Sequence, residues 1–499
     1  MARVRRVRAD VSHRGGRPGF VRVDDERTLT IPDYIGNNHF NTLGNLLESG
    51  RAGLLFIDFE GGHLLTLTGK AEILWETEDL QYFTGAERLW RFHLHSGRFI
   101  QHALPMRWDL DAFSPNSLMT GTWREADQKR RAQSGKHEWT RYQVTRTEYE
   151  SDGIKSIYLA PESGVLLDFK PGQFLTLRAR ISAQEIVRTY SLSSAPEDSV
   201  YRVSVKRVLN PDASSPDGLF SNFLHDTIEA GDQLDALSPR GSFTYDAAET
   251  RPAVLLAAGV GITPMVSMMR HTFAEGFRTR SMRSLTLFAA ARNAEARAFA
   301  QELAELQEQS RYRLRTFWSL GEVDRHLKVG TDYHHVGRIS ADLLQSVLPL
   351  DDYDFYVCGP AGFMQHCYDL LRDLGVQDKR IFAEAFGPST LKREQDEATS
   401  PFVPEPVASE AVVHFHASAH EQVWTASDGT LLEFAEAHGY QPEFACRSGQ
   451  CGACKVPLIS GRVSYETACA YPVGDQEVLL CQAKPAADGS DMPTLSLDM

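Results

Sequence analysis

No cysteine occurs in the first 357 residues of this 499-residue chain. All seven come later, at positions 358, 367, 446, 451, 454, 469 and 481. A disulfide scaffold spreads its cysteines in pairs through a small secreted domain. This late clustering excludes one and points to a metal centre. Long apolar runs are also missing. None reaches the roughly 20 residues that span a bilayer, and no charged-then-apolar signal segment is present, so a cytoplasmic protein without a membrane span is expected. Basic residues are in deficit: 52 Lys and Arg face 66 Asp and Glu, a net charge of −14. That argues against a nucleic-acid partner. The Arg-rich start, MARVRRVRAD, reads as a basic arm. Repeats at solenoid periods are absent. What is present, 42% hydrophobic and 24% charged residues, is an ordinary globular balance in a chain too long for one core.

Two polar stretches read as linkers. The first is 125–137, charge-dense; the second is 389–410, which carries KREQDEATS and then PFVPEPVAS. Between them the rhythm changes. Residues 138–248 contain short alternating segments bounded by Gly and Pro (RYQVTRTEYE, KSIYLAP, QFLTLRAR, YRVSVKRV, DQLDALSP), which predict an antiparallel barrel. Residues 249–388 alternate apolar strands with helical patterns: AVLLAAG and ITPMVSMMRHTF, SLTLFAAA and EARAFAQELAELQEQ, DFYVCG and AGFMQHCYDLLRDLG. That predicts a parallel α/β sheet. The fold class is therefore multidomain, α+β and α/β, with 1–124 and 411–499 as the flanking domains.

The most specific motif is Cys446, Cys451 and Cys454, spaced C-x4-C-x2-C, with Cys481 further on. This is the plant-type [2Fe–2S] spacing, in which four thiolates hold two irons. Gly449 and Gly452 supply the backbone freedom a tight loop needs. A zinc site would more often pair C-x2-C units, and only one such pair exists. Cys469 is a second candidate for the fourth ligand. Cys481 is preferred because it follows the apolar run Val478–Leu480. Cys469 lies in TACAYPVGD, a turn-rich stretch where exposure is expected. Residues 411–499 resemble plant-type ferredoxin domains through GTLLEFAEAHGY, ISGRVSY and LLCQAKP, which implies a β-grasp fold.

A second motif, Arg188-Thr-Tyr190-Ser191-Leu-Ser193, ends a predicted strand. Its guanidinium suits a phosphate, its ring suits a flavin face, and its hydroxyls suit ring nitrogens. Gly218, Ser221 and Asn222 open a helix whose free amides suit a pyrophosphate. A third motif, Gly259-Val-Gly261-Ile-Thr263-Pro264, follows an apolar strand and opens a helix. Its glycines admit a pyrophosphate closely, Thr263 is placed to cap, and Pro264 fits the first turn. Residues 138–388 resemble the ferredoxin–NADP reductase superfamily, both the flavohaemoglobin reductase half (YRVSVKRV, GLFSNFLHD, AGDQL, SPRGSF) and, in domain order, the phthalate dioxygenase reductases. The resemblance implies FAD rather than FMN, because the Gly218 turn suits a dinucleotide. It places Cys358, Gly359 and Pro360 by the nicotinamide, gives Ser191, Cys358 and Glu384 the catalytic positions, and lays Phe386 on the flavin ring. Arg292 could meet a 2′-phosphate, but its usual Ser and Tyr companions are absent, so NADH is favoured over NADPH.

Residues 19–123 resemble the pyridoxamine 5′-phosphate oxidase-like split barrel through GRPGFVRVDDERTLTIP, NHFNTLGNLLESGRAGLLFIDFE, LTLTGKAEILW and ALPMRW. Family barrels open with two further strands, so the barrel is expected to be incomplete, completed by a partner chain or mis-started at its N-terminus. A second flavin, FMN, is one reading of this domain; a homodimer contact is the other. The expected activity is electron transfer from NADH or NADPH through FAD to a [2Fe–2S] cluster, and on to a separate protein or small-molecule acceptor such as an oxygenase or haem protein. The alternative is a redox-sensing or docking protein whose N-terminal barrel binds a ligand.

Overall fold

A computed structural model describes residues 10–34, 41–83, 85–106, 108, 117, 120–134, 139–182, 184–209, 218–386, 391–394, 404–416, 420–440, 442, 444, 449, 452, 454–466, 469, 473–490 and 492–499. It divides into two compact units, Met1–Lys136 and His137–Met499.

The first unit is built on strands β1 (Arg22–Asp25), β2 (Thr28–Tyr34), β3 (Arg51–Asp58), β4 (His63–Leu74) and β5 (Ala86–Ile100), with helix α1 (Asn41–Ser49) between β2 and β3. They pair antiparallel in the order β1-β2-β5-β4-β3, which leaves β1 and β3 at the edges. Ile31, Leu46, Ala71, Trp90 and Phe92 form the core. Beyond it, Leu55 and Phe99 are each 57% exposed. The first expected linker is instead largely helical, in α2 (Trp123–Ser134). Trp123 and Ala126 are buried against Phe83 and Leu89, and two buried side chains suffice to seat an otherwise charged helix.

The second unit begins with strands β6 (Thr140–Ser151), β7 (Ile154–Pro161), β8 (Phe174–Ile181), β9 (Gln184–Ser191), β10 (Tyr201–Lys206) and β11 (Gln233–Arg240), and helix α3 (Leu219–Asp226). The sheet order is β10-β7-β6-β11-β8-β9. A bridge from Leu192 to Val203 joins its two ends into a barrel, which removes the exposed edges. Inward residues of β7, β8 and β10, among them Ile157, Leu159, Leu175, Leu177, Val203 and Val205, are fully buried.

Next comes a parallel sheet of β12 (Ala253–Ala258), β13 (Leu285–Ala291), β14 (Leu314–Leu320), β15 (His335–Val336), β16 (Asp354–Gly359) and β17 (Ile381–Ala385), in the order β15-β14-β13-β12-β16-β17. Helices α4 (Ile262–Thr279), α5 (Ala300–Gln309), α6 (Ala341–Val347) and α7 (Ala361–Asp373) cover it. Alternate residues of β12 enter two apolar clusters: Leu255 and Ala257 pack with α4, Val254 and Leu256 with α7. Both faces are thus buried, as a parallel sheet requires. The segment EARAFA was expected to continue the α5 helix backwards. The helix starts only at Ala300, because Phe299 is buried with φ 62° and sets its entry.

The second expected linker is attached at both ends. Lys392 donates to Gln365 (2.9 Å), Arg393 to Asp378 (2.9 Å) and Glu394 to Tyr368 (2.7 Å), all on or beside α7. At its far end the amide of Ala487 donates to Pro406 (2.7 Å) and the amide of Ala408 to Pro485 (3.0 Å). The C-terminal part has β18 (Glu410–Phe415), β19 (His420–Thr425), β20 (Lys455–Ser460), β21 (Val463–Tyr465), β22 (Glu477–Leu479), β23 (Ala483–Pro485), β24 (Thr494–Leu497) and helix α8 (Leu431–Ala437). Its main sheet runs β19-β18-β24-β20-β22, with β18 and β24 parallel. A capping box of Thr430 and Glu433 starts α8, which packs into the core around Trp424 and Phe415. This is the β-grasp arrangement. Among the described residues no helix is long and apolar enough to cross a membrane.

Candidate functional site

The last residues of β9 carry the flavin motif. Arg188 is exposed, and its guanidinium donates to the Val187 carbonyl (2.8 Å), which leaves further N–H groups for an anion. Tyr190 stacks on Phe220 of α3, centroids 6.0 Å apart at 27°; burial raises its hydroxyl pKa well above the ordinary value. Ser191 is buried and its hydroxyl donates to Glu384 Oε2 (3.2 Å) on β17. The barrel and the parallel sheet therefore meet at this bond. Ser193, expected beside the flavin, is fully buried. Its hydroxyl bonds the Arg202 carbonyl (3.1 Å) and the Ser204 hydroxyl (2.7 Å), so it serves the barrel wall.

Among the described residues no side chain caps helix α3 at Gly218, which leaves first-turn amides without an intrahelical partner. A Cβ at Gly218 would lie 2.7 Å from Val208 Cβ, which keeps the entry tight. Ser221 bonds the Gly218 carbonyl (2.9 Å) and Asn222 the Val208 carbonyl (3.1 Å). Asn222 Oδ1 is buried and has no hydrogen-bond partner among the described residues. A tight glycine entry to a helix end that no described side chain caps suits a pyrophosphate. At the far end of α3, the buried Lys155 ammonium donates to the carbonyls of Leu224 (3.0 Å), His225 (3.1 Å) and Ile228 (2.7 Å).

The glycine turn after β12 has Gly259 at φ +55°. A Cβ on Gly261 would sit 2.2 Å from the Cys358 carbonyl oxygen, so only glycine lets this turn press on the end of β16. Thr263 does not cap α4 as expected. Gly261 occupies the cap, and the Thr263 hydroxyl turns back to the Val260 carbonyl (2.9 Å). No side chain closes the amides of this helix end either. Pro264 lies within the first turn and is buried.

Cys358 ends β16 directly beside Glu384 of β17. It is fully buried, and burial, with the neighbouring Glu384, pushes its thiol well above the usual range. The group is thus a neutral, polarisable thiol and not a thiolate nucleophile. Gly359 follows, with no room for a Cβ against Phe363 (2.8 Å). Pro360 occupies the cap position of α7. Phe386, just past β17, is 41% exposed.

In the C-terminal domain, Cys454 and Cys481 are both buried, and the Cys481 amide approaches Cys454 Sγ at 3.4 Å. Val478, Leu479 and Leu480 beneath are fully buried. Gly449 (φ +71°) and Gly452 (φ +70°) hold left-handed positions. Two thiols on buried backbone beside such a loop fit a cluster site. Cys446 and Cys451 lie outside the described residues. Cys469 is half-buried, not exposed as expected. It packs on the domain core, and its thiol is pushed up to about 11 by burial, with the neighbouring Cys481 adding to it. A Cβ on Gly449 would stand 4.0 Å from its sulfur.

Four family models match in chain order: pyridoxamine 5′-phosphate oxidase over 8–102, the oxidoreductase FAD-binding domain over 142–245, the oxidoreductase NAD-binding domain over 255–369, and the 2Fe-2S iron-sulfur cluster binding domain over 417–486. A flavohemoprotein of Bacillus cereus is 36% identical over 284 residues, which covers 56% of this chain and 67% of that one. The chain belongs to the ferredoxin–NADP reductase superfamily. A flavohemoprotein of Bordetella pertussis is 39% identical over 255 residues, 50% of this chain and 61% of the relative, so the chain spans about three-fifths of that protein. The structure of an intact type IV self-sufficient cytochrome P450 monooxygenase shares the fold over 86% of this chain and 48% of its own, with TM-score 0.50 and 20% identity. By its matched domains, this member of the superfamily is an oxidoreductase with FAD, NAD(P)H and a [2Fe–2S] cluster as cofactors. Arg202, Glu302 and Arg270 join its barrel to its parallel sheet. No motif signals them, since Arg202 and Glu302 stand 100 residues apart in sequence.

Proposed function

We propose that the chain draws electrons from a reduced nicotinamide and delivers them, through FAD and its [2Fe–2S] cluster, to a separate acceptor such as an oxygenase or haem protein. The observation that carries this reading is the Ser191–Glu384 bond, which brings the flavin motif of the barrel to the end of the nicotinamide sheet beside Cys358. A bound flavin would supply the exchange between a two-electron hydride donor and one-electron delivery, and a bound cluster would supply a one-electron carrier. Arg188 and the first-turn amides of α3, in the turn shaped by Gly218, Ser221 and Asn222, hold the FAD phosphates, and Tyr190 flanks the ring. The turn from Gly259 to Pro264, with Gly359 and Pro360, seats the nicotinamide dinucleotide. Cys358 gives an uncharged wall, Ser191 and Glu384 manage the proton and the polarity at the reacting face, and Phe386 covers the flavin until the donor displaces it. Cys446, Cys451, Cys454 and Cys481 ligate the cluster. NADH is the preferred donor, and the cytoplasm the location. A second copy of the chain covers the exposed apolar residues of β3 and β5, around Leu55 and Phe99.

The test is Cys451→Ser in the full-length protein. NADH should still bleach the flavin and ferricyanide should still be reduced, while the two irons and cytochrome c reduction are lost. Loss of flavin reduction in a folded variant would overturn the assignment of separate flavin and cluster sites.

A further inference from the structure

The end of the flavin strand is tied to the nicotinamide domain directly at Ser191 and Ser194, and through Arg202 of the barrel at Ser193. Ser191 donates to Glu384 (3.2 Å), the Ser194 carbonyl accepts from Ser267 of α4 (2.6 Å), and Ser193 is gripped by Arg202. Arg202 donates through Nε to the Ser193 hydroxyl (3.1 Å) and through Nη2 to its carbonyl (2.7 Å). The same guanidinium reaches out of the barrel and donates through Nη1 to Glu302 Oε2 on α5 (2.9 Å). Glu302 also accepts from Arg270 of α4, and Arg270 donates to both oxygens of Asp198 in the barrel (2.6 and 2.8 Å).

The result is a chain of alternating charge, Arg202, Glu302, Arg270 and Asp198, that starts and ends on the barrel and passes through two helices of the neighbouring domain. It is desolvated most at Arg202, whose side chain is 6% exposed, against 22% for Glu302, 28% for Arg270 and 27% for Asp198. Burial alone would push the Glu302 carboxyl up, but Arg202 and Arg270 outweigh it and hold the group below the usual carboxylate range. A second feature aims Glu302. Phe299 caps α5 in the left-handed region at φ 62°. A bulky residue is held there only where its surroundings over-determine it. The buried Phe299 ring lies 5.0 Å from the Arg202 guanidinium, so this cap turns the first turn of α5 toward Arg202.

We propose that Glu302 is a positioning residue, which through Arg202 and Ser193 fixes how the flavin strand faces the nicotinamide domain. The proposal rests on the electron-transfer reading above. Its chemistry explains the choice of a carboxylate. Each oxygen of Glu302 takes a guanidinium, so it resists displacement in two directions, which a single neutral hydrogen bond would not. Angström-scale misplacement between hydride donor and acceptor is costly, and Glu302 acts on that geometry at a distance, through Arg202 and Ser193.

The test compares Glu302→Gln and Glu302→Asp with the wild-type holoenzyme. In E302Q, flavin bleaching by NADH should slow about ten- to a hundredfold while FAD affinity and the KM for NADH stay close to wild type. E302D, which keeps the charge but withdraws it by one methylene, should recover part of the rate. An independent readout needs no cofactor. Amide hydrogen exchange in the flavin-free protein should rise at 191–205 and 300–309 in E302Q, and remain unchanged at 454–466. A folded, flavin-loaded E302Q that bleaches at the wild-type rate, or one whose exchange is unchanged, overturns the proposal. If E302Q does not fold, E302D decides by the same two measurements. If the wild type itself fails to bleach with NADH, the electron-transfer reading fails instead, and the exchange result still judges the positioning.

Discussion

The N-terminal sheet and the flavin barrel, both antiparallel, use their apolar residues in opposite ways. In the flavin barrel the Leu192–Val203 bridge closes the sheet, and Ile157, Leu159, Leu175 and Val203 vanish inside. The rim is then free to carry Arg188, Ser191 and Arg202. In the N-terminal sheet β1 and β3 stay at the edges, and Leu55 and Phe99 face outward. A closed sheet can offer polar chemistry at its ends. An open one with apolar side chains outside offers contact area instead, because such patches mark interaction surfaces.

This contrast can be broken at several points. The largest effect should come from Lys155→Met. It strips three carbonyls at the end of α3 of a charged donor worth about 1.5–3 kcal/mol per hydrogen bond. Thermal melting should show the barrel weakened by about 3 kcal/mol, with FAD retention falling alongside. An unchanged melt would mean that the helix at the rim is not held from beneath.

Next is Arg188→Ala, which removes a charge-assisted phosphate contact. FAD affinity should fall about ten- to a hundredfold in a flavin fluorescence titration. The released flavin should be FAD, one per chain. Two flavins per chain would make the N-terminal sheet a chemical site and dissolve the contrast.

A smaller effect, on the order of 1 kcal/mol, separates two buried acids by sign. Burial raises the Asp33 carboxyl of the N-terminal sheet above 3.8, and the nearby Arg14 and Arg88 only partly offset this. Its ionised form therefore costs stability at pH 7, and Asp33→Asn should stabilise there, an advantage that disappears as pH drops below the ordinary carboxylate value. Glu302 is lowered, so its contribution is present at neutral pH and is lost as pH falls through its folded value below 4.5. E302Q should accordingly cost stability at pH 7 and little in acid. Chemical denaturation of each variant at pH 7 and in acid well below 3.8 gives both signs. The smallest effect on the reductase should be that of Leu55→Glu with Phe99→Glu. NADH turnover should be untouched while sedimentation shifts from dimer to monomer; a wild type that already sediments as a monomer removes the proposed contact.

The barrel and the parallel sheet were legible because period-two alternation and strand–helix alternation are local properties. YRVSVK shows where local reading stops. Its odd positions fill the barrel, as alternation predicts, but Arg202 and Ser204 are buried as well, since the next domain covers the outer face. A partner 100 residues away leaves no trace in a window of ten. Helix α2 was missed for a related reason, because only Trp123 and Ala126 anchor it, too few to make a period. Cys469 was misjudged from its Pro and Gly neighbours, which describe the turn and not the core it rests on.

The residues that run back along α7 change the arithmetic of the C-terminal domain. Because Lys392 to Glu394 are bonded down, and Pro406 is bonded at the other side, the two anchors are separated by only the chain length from Glu394 to Pro406, which bounds their separation at about 40 Å. A domain kept within that radius meets its neighbour as if it were dissolved at roughly millimolar concentration. Electron delivery inside one chain is then indifferent to how dilute the protein is, and only the step to the outside acceptor remains a matter of chance encounter.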